Sequence, residues 1–467
     1  LGKWATKPRD DSLRNRDLQL KDSDYKRDEF GAEFVKEYIN TYSRFQWNTP
    51  HIAQATMHLI MGQVPSIKSM KIYKEGNYLD TRIHINWFQQ QATGKGQGYN
   101  FVGMVCDGIG INMKAVVEFT DAGLVGGFKD RKVFDPKVKS YDIEKVFTPG
   151  VLHPDYGANI VASNEASVLF DSKGTRYRQN SLNYLQIVMN TLGTKDNCLP
   201  KDVLGGNENI YSDVSLFMSS YIPERLLDVF LKSGYMSRCL TIINDVKFGD
   251  RIKSMFHASD HFNKKSVSAF ENFDDIVNKF NFINQYYKDM PNLKTHPSVI
   301  TYEKRLVGEI IEPIKNIEPF HREKLGEFID RVQDMCWKVM YHSACLRLSD
   351  TIEREDVAYA GNFMMPIWKS FASFIEDALE KGYFEKRKTN EKESSVIRGI
   401  AKLENLTNVD GYVPKSEIIK IVAKDTGKSE NTVRRWITDC IDTGLLNDRI
   451  YRKEVGLKVI GKRSQPW

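Results

Sequence analysis

The sequence predicts an α/β domain, then an all-helical domain, then a small C-terminal module, and three observations carry that reading. Between Arg82 and about Asp245, short apolar β-rich runs alternate with helical stretches and Gly-rich turns, the pattern of a sheet covered by helices. From about Phe256 to Lys381 the strand signal gives way to three-four spacing, clearest in Phe328, Ile329, Val332, Met335, Cys336, Val339, Met340 and Ser343. The stretch 385–395 is almost wholly charged or polar and reads as a linker ahead of a third unit. At roughly 150 residues per domain, 467 residues suit two to four domains. The expected boundaries are a partly extended or helical lead-in at 1–60, the α/β core at 61–255, the helical domain at 256–384, the linker, and a module at 396–467.

Composition sets outer limits. Hydrophobic residues make up 41% and aromatics 11%, which is enough for packed cores. Apolar runs such as Leu216-Phe217-Met218 fall far short of the roughly 18 residues that span a bilayer. No signal-peptide pattern opens the chain, so the expectation is a soluble, intracellular protein without a membrane partner. Leu1 stands where an initiator methionine would, as in a fragment or trimmed product. The six cysteines include no Cys-x-x-Cys pair, which argues against a zinc knuckle or a disulfide framework. A formal charge of +6 is small for this length and permits a nucleic-acid partner without requiring one.

Residues 1 to about 30 are charged and poor in apolar side chains. From Glu33 onward, Phe34, Tyr38, Ile52, Met57, Leu59 and Ile60 fall at spacings that suit amphipathic helices. The apolar strand at 83–88 then runs into a Gly-rich loop, after which Tyr99, Phe101, Val102 and Met104 begin a helix. Phosphate binding by a strand-loop-helix needs a backbone free to curl, a lysine for the β and γ phosphates, and helix N-terminal amides. Thr93, Gly94, Lys95, Gly96 and Gln97 are placed to form that cradle. However, Gln89 holds the usual first-glycine position, and Gly96 replaces the Ser or Thr that would ligate magnesium. A glycine-rich surface turn is the competing reading.

The next strand, 159–163, ends in Asn164-Glu165, which puts a carboxylate where a hydrolase needs one to polarise water. A solvated carboxylate at a strand end would look the same. A third strand, 214–218, runs into Ser219-Ser220 ahead of Pro223, and Arg238 precedes a fourth, 240–243. Alone, Arg238 reads equally well as a surface residue.

Taken in order, Ala122-Gly123-Leu124, the stretch from Gly157 to Glu165, Ser219-Ser220-Tyr221-Ile222-Pro223 and Ser237-Arg238 resemble the minichromosome maintenance type of AAA+ helicase and its relatives among self-loading replicative helicases of phages and mobile elements. The likeness covers roughly residues 82–365, including Arg331, Arg347-Leu348-Ser349 and Glu355-Asp356-Val357 in the helical domain, and its specificity lies in the ordered set. It implies an AAA+ core with a P-loop and a parallel sheet, an all-helical lid, and ATP and Mg2+ as cofactors. It further implies that Lys95 contacts phosphate and that Glu165 activates the attacking water, with Asn164 and Glu165 on the metal side. Ser220 is a weaker match to the sensor-1 asparagine. Arg238 becomes an arginine finger reaching the neighbouring subunit's nucleotide, and Arg331 a sensor 2 acting across the same interface. A finger of this kind needs a ring, so a homo-hexamer is expected. The departures at Gly96 and Asn164 thin the magnesium shell. A cytoplasmic location follows, in the host cell if a phage encodes the chain.

Within this family, single-stranded DNA is gripped by two inserts facing the central pore. Residues 128–139 occupy the place of the first, with Lys129, Arg131, Lys132, Lys137 and Lys139 against two acidic residues, a composition suited to a phosphate track. Lys201, ahead of Gly205-Gly206-Asn207, resembles the lysine of the second. Solvated charged loops would read alike. In the last module a helix over 415–423 and a turn at Thr426-Gly427-Lys428 precede a second helix with Ser429 as N-cap. Val433, Trp436, Ile437, Cys440 and Ile441 form its buried face, while Asn431, Arg434, Arg435 and Thr438 point outward. With Arg452 and Lys453 in a following hairpin, the module resembles a winged helix whose second helix enters a duplex major groove. That fold also serves protein contacts.

His257 and His261 lack the neighbouring glutamate of a zinc protease, and Trp87 and Trp337 are most simply core aromatics. Two functions therefore compete: an ATP-driven hexameric DNA helicase or translocase for phage or mobile-element replication, and a DNA-binding replication initiator or scaffold whose degraded nucleotide site serves assembly. Glu165, Arg238 and Arg331 favour the first; Gly96 and Asn164 favour the second.

Overall fold

The computed structural model describes residues 27–45, 50–74, 76–90, 95–116, 119–135, 140–170, 180–203, 206–221, 234–244, 266–315, 319–380, 391–403, 412–442, 446–451 and 454–459. Chain contacts divide it into two units, Leu1–Glu380 and Lys381–Trp467.

The first unit is built on a five-stranded sheet whose strands, in chain order, are β1 (Ile85–Gln89), β2 (Met113–Ala115), β3 (Ile160–Ser163), β4 (Ser215–Ser220) and β5 (Leu240–Asn244). All neighbours pair in parallel in the spatial order β5-β1-β4-β3-β2. Parallel sheets are covered on both faces, so their inner strands can be apolar throughout. Accordingly β1, β3 and β4 are buried at every residue, and the partly exposed strands β2 and β5 fall at the two edges. Residues Ile85 and Phe217 stand in register, as do Ile85 and Leu240, which levels the ends of β1, β4 and β5.

Two antiparallel hairpins interrupt the crossovers. Gly126–Asp135 pairs with Ser140–Pro149 between β2 and β3, and Leu199–Val203 pairs with Gly206–Ile210 just before β4. The base of the first hairpin is closed by two glycines: Gly126 has φ 111°, and a Cβ on Gly150 would collide with the Gly126 and Leu124 backbone. Only glycine tolerates both conditions.

The described part of the expected lead-in, from Arg27 onward, packs into the core. Helix Arg27–Phe45 presents Phe30, Phe34, Tyr38 and Tyr42 at four-residue spacing, all buried. Tyr38 and Tyr42 meet Phe101 edge-on at 5.5 and 5.4 Å, and Phe34 meets Phe280 at 4.9 Å. Each aromatic needs an apolar partner, and those partners lie on helices Lys95–Gly108 and Ser266–Tyr286. Helix Pro50–Met61 adds His58, which stacks against His342 with the two Nδ1 atoms 3.3 Å apart.

Helices Ser298–Lys315, Pro319–Leu346 and Arg354–Glu380 pack on one another, and the last lies along β5. The turn joining the second to the third is fixed by Arg347, which forms a two-pronged pair with Asp356 at 3.0 and 2.7 Å.

In the second unit, helices Glu391–Ala401, Lys415–Thr426 and Glu430–Asp442 enclose Val396, Ile418, Ile419, Val422, Val433 and Ile437. A three-stranded sheet of Val413–Pro414, Glu454–Val459 and Leu446–Tyr451 completes it. The first of these helices begins inside the stretch expected to be a linker. Its charged first turn hides a helix whose apolar face starts only at Val396.

Among the described residues no helix is long and apolar enough to cross a membrane.

Candidate functional site

A parallel sheet brings the carboxyl ends of its strands to one edge. From β1 the chain turns toward β2, on one side, and from β4 toward β5, on the other. Loops that part in this way leave a crevice between adjacent strands, where open α/β sheets bind ligands. Three sequence-selected groups reach that crevice. Lys95 opens the helix following β1, only 8% exposed, with Nζ donating to the Gln89 carbonyl at 2.9 Å. Burial pulls the Lys95 ammonium below its ordinary pKa, and the Glu165 carboxylate pushes it back. Such a lysine is under-solvated and suited to an anion.

The loop after β3 is clamped onto β4. Ala166 N donates to the Ser219 carbonyl at 2.9 Å, and Ser219 Oγ lies 3.1 Å from both the carbonyl and Oδ1 of Asn164. Between these anchors Glu165 is exposed. At the end of β4, Ser220 Oγ is buried without a hydrogen-bond partner among the described residues. Gly96 and Gln97 lie on the first helical turn after Lys95; Thr93 and Gly94 fall outside the described residues.

Asn164, expected on the metal side, is engaged locally. Its Oδ1 is engaged by Ser219, and its Nδ2 faces Gly96, where a Cβ would come within 3.4 Å of it. With the amide placed this way, the group beside Gly96 is a hydrogen-bond donor, which suits an anion better than a cation. The two departures, Gly96 and Asn164, are thus neighbours in the fold. Glu165 remains as the carboxylate.

Arg238 and Arg331 occupy the opposite edge. Arg238 ends the short helical turn Met236–Arg238 just ahead of β5, and Arg331 lies on helix Pro319–Leu346 packed against that turn. Both line one cleft of about 400 Å³, with Asn190, Thr191, Asp196 and Lys338. Burial, and then the neighbouring Arg331 cation, pull Arg238 below its ordinary value. Arg238, Arg331 and Lys338 outnumber the cleft's two carboxylates, Asp196 and Asp334, so its lining is net positive and suited to an anion.

Sequence reading missed the groups beneath that cleft. Asp80 and Arg82 are buried at the entry to β1 and pair at 3.0 Å, and Lys338 reaches them from the helix that bears Arg331. Their signal was a charged residue inside an apolar run, as in Trp337-Lys338-Val339-Met340, since an unpartnered charge is not buried at such a place.

Of the DNA-facing candidates, Lys129, Arg131 and Lys132 fall on strand Gly126–Asp135, and Lys201 on strand Leu199–Val203. Lys137, Arg452, Lys453, His257 and His261 lie outside the described residues. In the second unit Asn431, Arg434 and Arg435 are exposed on helix Glu430–Asp442, whose first turn is capped by Ser429 Oγ accepting from Thr432 N at 3.3 Å.

Compared with models of known protein families and with curated proteins, the chain matches none.

Proposed function

We propose that this protein is an ATP-driven motor acting on DNA as a ring of identical subunits, an AAA+ helicase or translocase of the replicative type. One observation carries the reading: the lysine and carboxylate lie at the carboxyl edge of the sheet, whereas the paired arginines lie at its amino edge. β1 has five residues, a span of about 16 Å at roughly 3.3 Å each, so one chain cannot close its own arginines onto its own phosphate. A neighbour related by rotation can, and a head-to-tail contact of this kind makes a ring when its rotation closes.

In such a site Lys95 and the helix N-terminus hold the triphosphate, and the Asn164 amide adds a donor. Glu165 takes a proton from water as its oxygen attacks the γ-phosphorus, and the bridging oxygen leaves on ADP with the electron pair. Arg238 and Arg331 of the adjacent subunit balance the charge that spreads over the γ-oxygens. Of the two residues that the resemblance places beside magnesium, Glu165 is the carboxylate that would hold it, and the metal would offset charge on the γ-oxygens.

The two hairpins, placed ahead of β3 and β4, support inserts that touch DNA. In the second unit the exposed Arg434 and Arg435 on the capped helix support a winged helix on duplex. Replacing both by alanine is expected to weaken duplex binding and to reduce the slope of log K against log salt by about 2, which fluorescence anisotropy at several salt concentrations measures.

The Gly96 and Asn164 pairing favours one other reading, a DNA-binding initiator or scaffold with an inert nucleotide pocket. ATP turnover with and without DNA, together with particle size with and without ATP, separates the two. DNA-stimulated turnover by a hexamer supports the motor; a protein without turnover is the scaffold.

A further inference from the structure

We propose that Asn190, backed by the buried Asp80, Arg82 and Lys338 network, is a positioning residue that sets Arg238 and Arg331 as one anion-reading unit. This rests on the reading that both arginines serve a neighbouring subunit.

Arg238 is held from its own chain on two sides. Nε donates to Asn190 Oδ1 at 3.0 Å and Nη1 to the Gly234 carbonyl at 2.8 Å. Among the described residues Nη2 has no partner, so this edge is the one offered to the cleft. The Asn190 amide cannot be turned round without loss, because its Nδ2 donates to the Asp196 carbonyl at 2.8 Å while its Oδ1 accepts from the guanidinium.

Asn190 is in turn anchored through its backbone. Its carbonyl accepts from Arg82 Nη2 and from Asn197 Nδ2, both at 2.8 Å. Arg82 Nη1 also donates to the carbonyls of Val188 at 3.0 Å and Val214 at 2.8 Å, so the loop ahead of Arg238's partner is tied to the start of β4. Asp80 holds Arg82 and accepts from Leu192 N at 3.0 Å, within the same loop. Lys338 closes the network with bonds to the Arg82 carbonyl at 2.7 Å and Asp80 Oδ1 at 3.4 Å.

Lys338 follows Arg331 by two turns on one unbroken helix, and Asp334 between them pairs with Lys74 at 2.9 Å and lies 3.7 Å from Arg331. The path from Arg238 to Arg331 is therefore continuous and, at its centre, buried. Two guanidinium groups sharing a cleft repel each other, and only a rigid frame keeps both aimed at one place before an anion arrives.

The test uses the full chain. Asn190→Ala keeps every backbone bond of the network and is expected to lower kcat for ATP by roughly ten- to a hundredfold. Its melting temperature and its affinity for a fluorescent ATP analogue should stay at wild-type values. Mixed one to one with Glu165→Gln, which lacks the general base but keeps its arginines, it should regain roughly a quarter of wild-type turnover, since an intact cis half then meets an intact arginine at one interface in four. Should the alanine chain fail to assemble, Asn190→Ser takes its place in the same mixture. Turnover equal to wild type in the variant, or a defect that mixing does not relieve, overturns the positioning role alone. A wild-type protein without turnover instead removes the nucleotide reading on which it rests.

Discussion

Glu165→Gln is expected to reduce ATP turnover by about two to three orders of magnitude while leaving nucleotide affinity nearly unchanged. The loop that carries it is pinned from both ends, by Ala166 N on the Ser219 carbonyl and by Ser219 Oγ on Asn164. Neither bond uses the Glu165 side chain, so the amide enters the same place without disturbing the strand ends. What disappears is a base able to take a proton from water. Lys95 also feels the exchange, because the Glu165 carboxylate supports its charge against burial. A small loss of affinity through that route is tolerable; a large one would mean that Glu165 binds rather than activates. Single-turnover kinetics with a fluorescent analogue separate the two, and wild-type turnover in the glutamine variant would remove Glu165 from the chemistry.

Asp80→Ala is expected to cost about 3–5 kcal/mol of folding stability, the range found when one member of a buried ion pair is removed. Arg82 and Lys338 would both lose the buried carboxylate they bond to. Replacing all three by apolar residues would not restore stability in full, because the carbonyls of Val188, Asn190 and Val214 would lose the guanidinium that satisfies them. Denaturant titration reads both. Repeated at falling pH, it also reads the buried histidines. Burial, with Arg82 and Lys338 beside it, holds His84 neutral; burial and His342 do the same for His58; and burial takes His342 down to about 3.

A histidine depressed in the fold charges first in the unfolded chain, so stability is complete above its ordinary value of about 6.5 and falls as the pH drops through it. Three such groups give a limiting slope of roughly 4 kcal/mol per pH unit. For Asp80, burial opposes ionisation, but Arg82 and Lys338 outweigh it and hold the carboxyl well below the usual range. Its share is therefore present above about pH 4 and is lost only in stronger acid. A wild-type stability that stays flat between pH 7 and pH 5 would show that these imidazoles are not held neutral.

The strands of the sheet were legible because burial on both faces leaves runs such as Leu216-Phe217-Met218 without alternation. Lys95 was picked out by the Gly-rich loop beyond such a run, and Glu165 by its place at the end of one. Their meeting at one crevice was expected only through the ordered set of motifs, since it depends on β4 lying between β1 and β3, an order no local pattern encodes. The Asn190 brace was invisible for a related reason. Asn190 sits in an ordinary polar turn, and its partners Arg82 and Arg238 stand 108 and 48 residues away. The direction of the Asn164 amide was not legible either, because Ser219, fifty-five residues downstream, engages it.

The aromatic seam of helix Arg27–Phe45 bears on how the protein can be handled. A recombinant piece begun at residue 61, the apparent edge of the core, would strip Phe34, Tyr38 and Tyr42 from Phe101 and Phe280. Newly bared rings of that kind drive self-association, so such a piece should precipitate, whereas one begun upstream of Arg27 should stay dispersed.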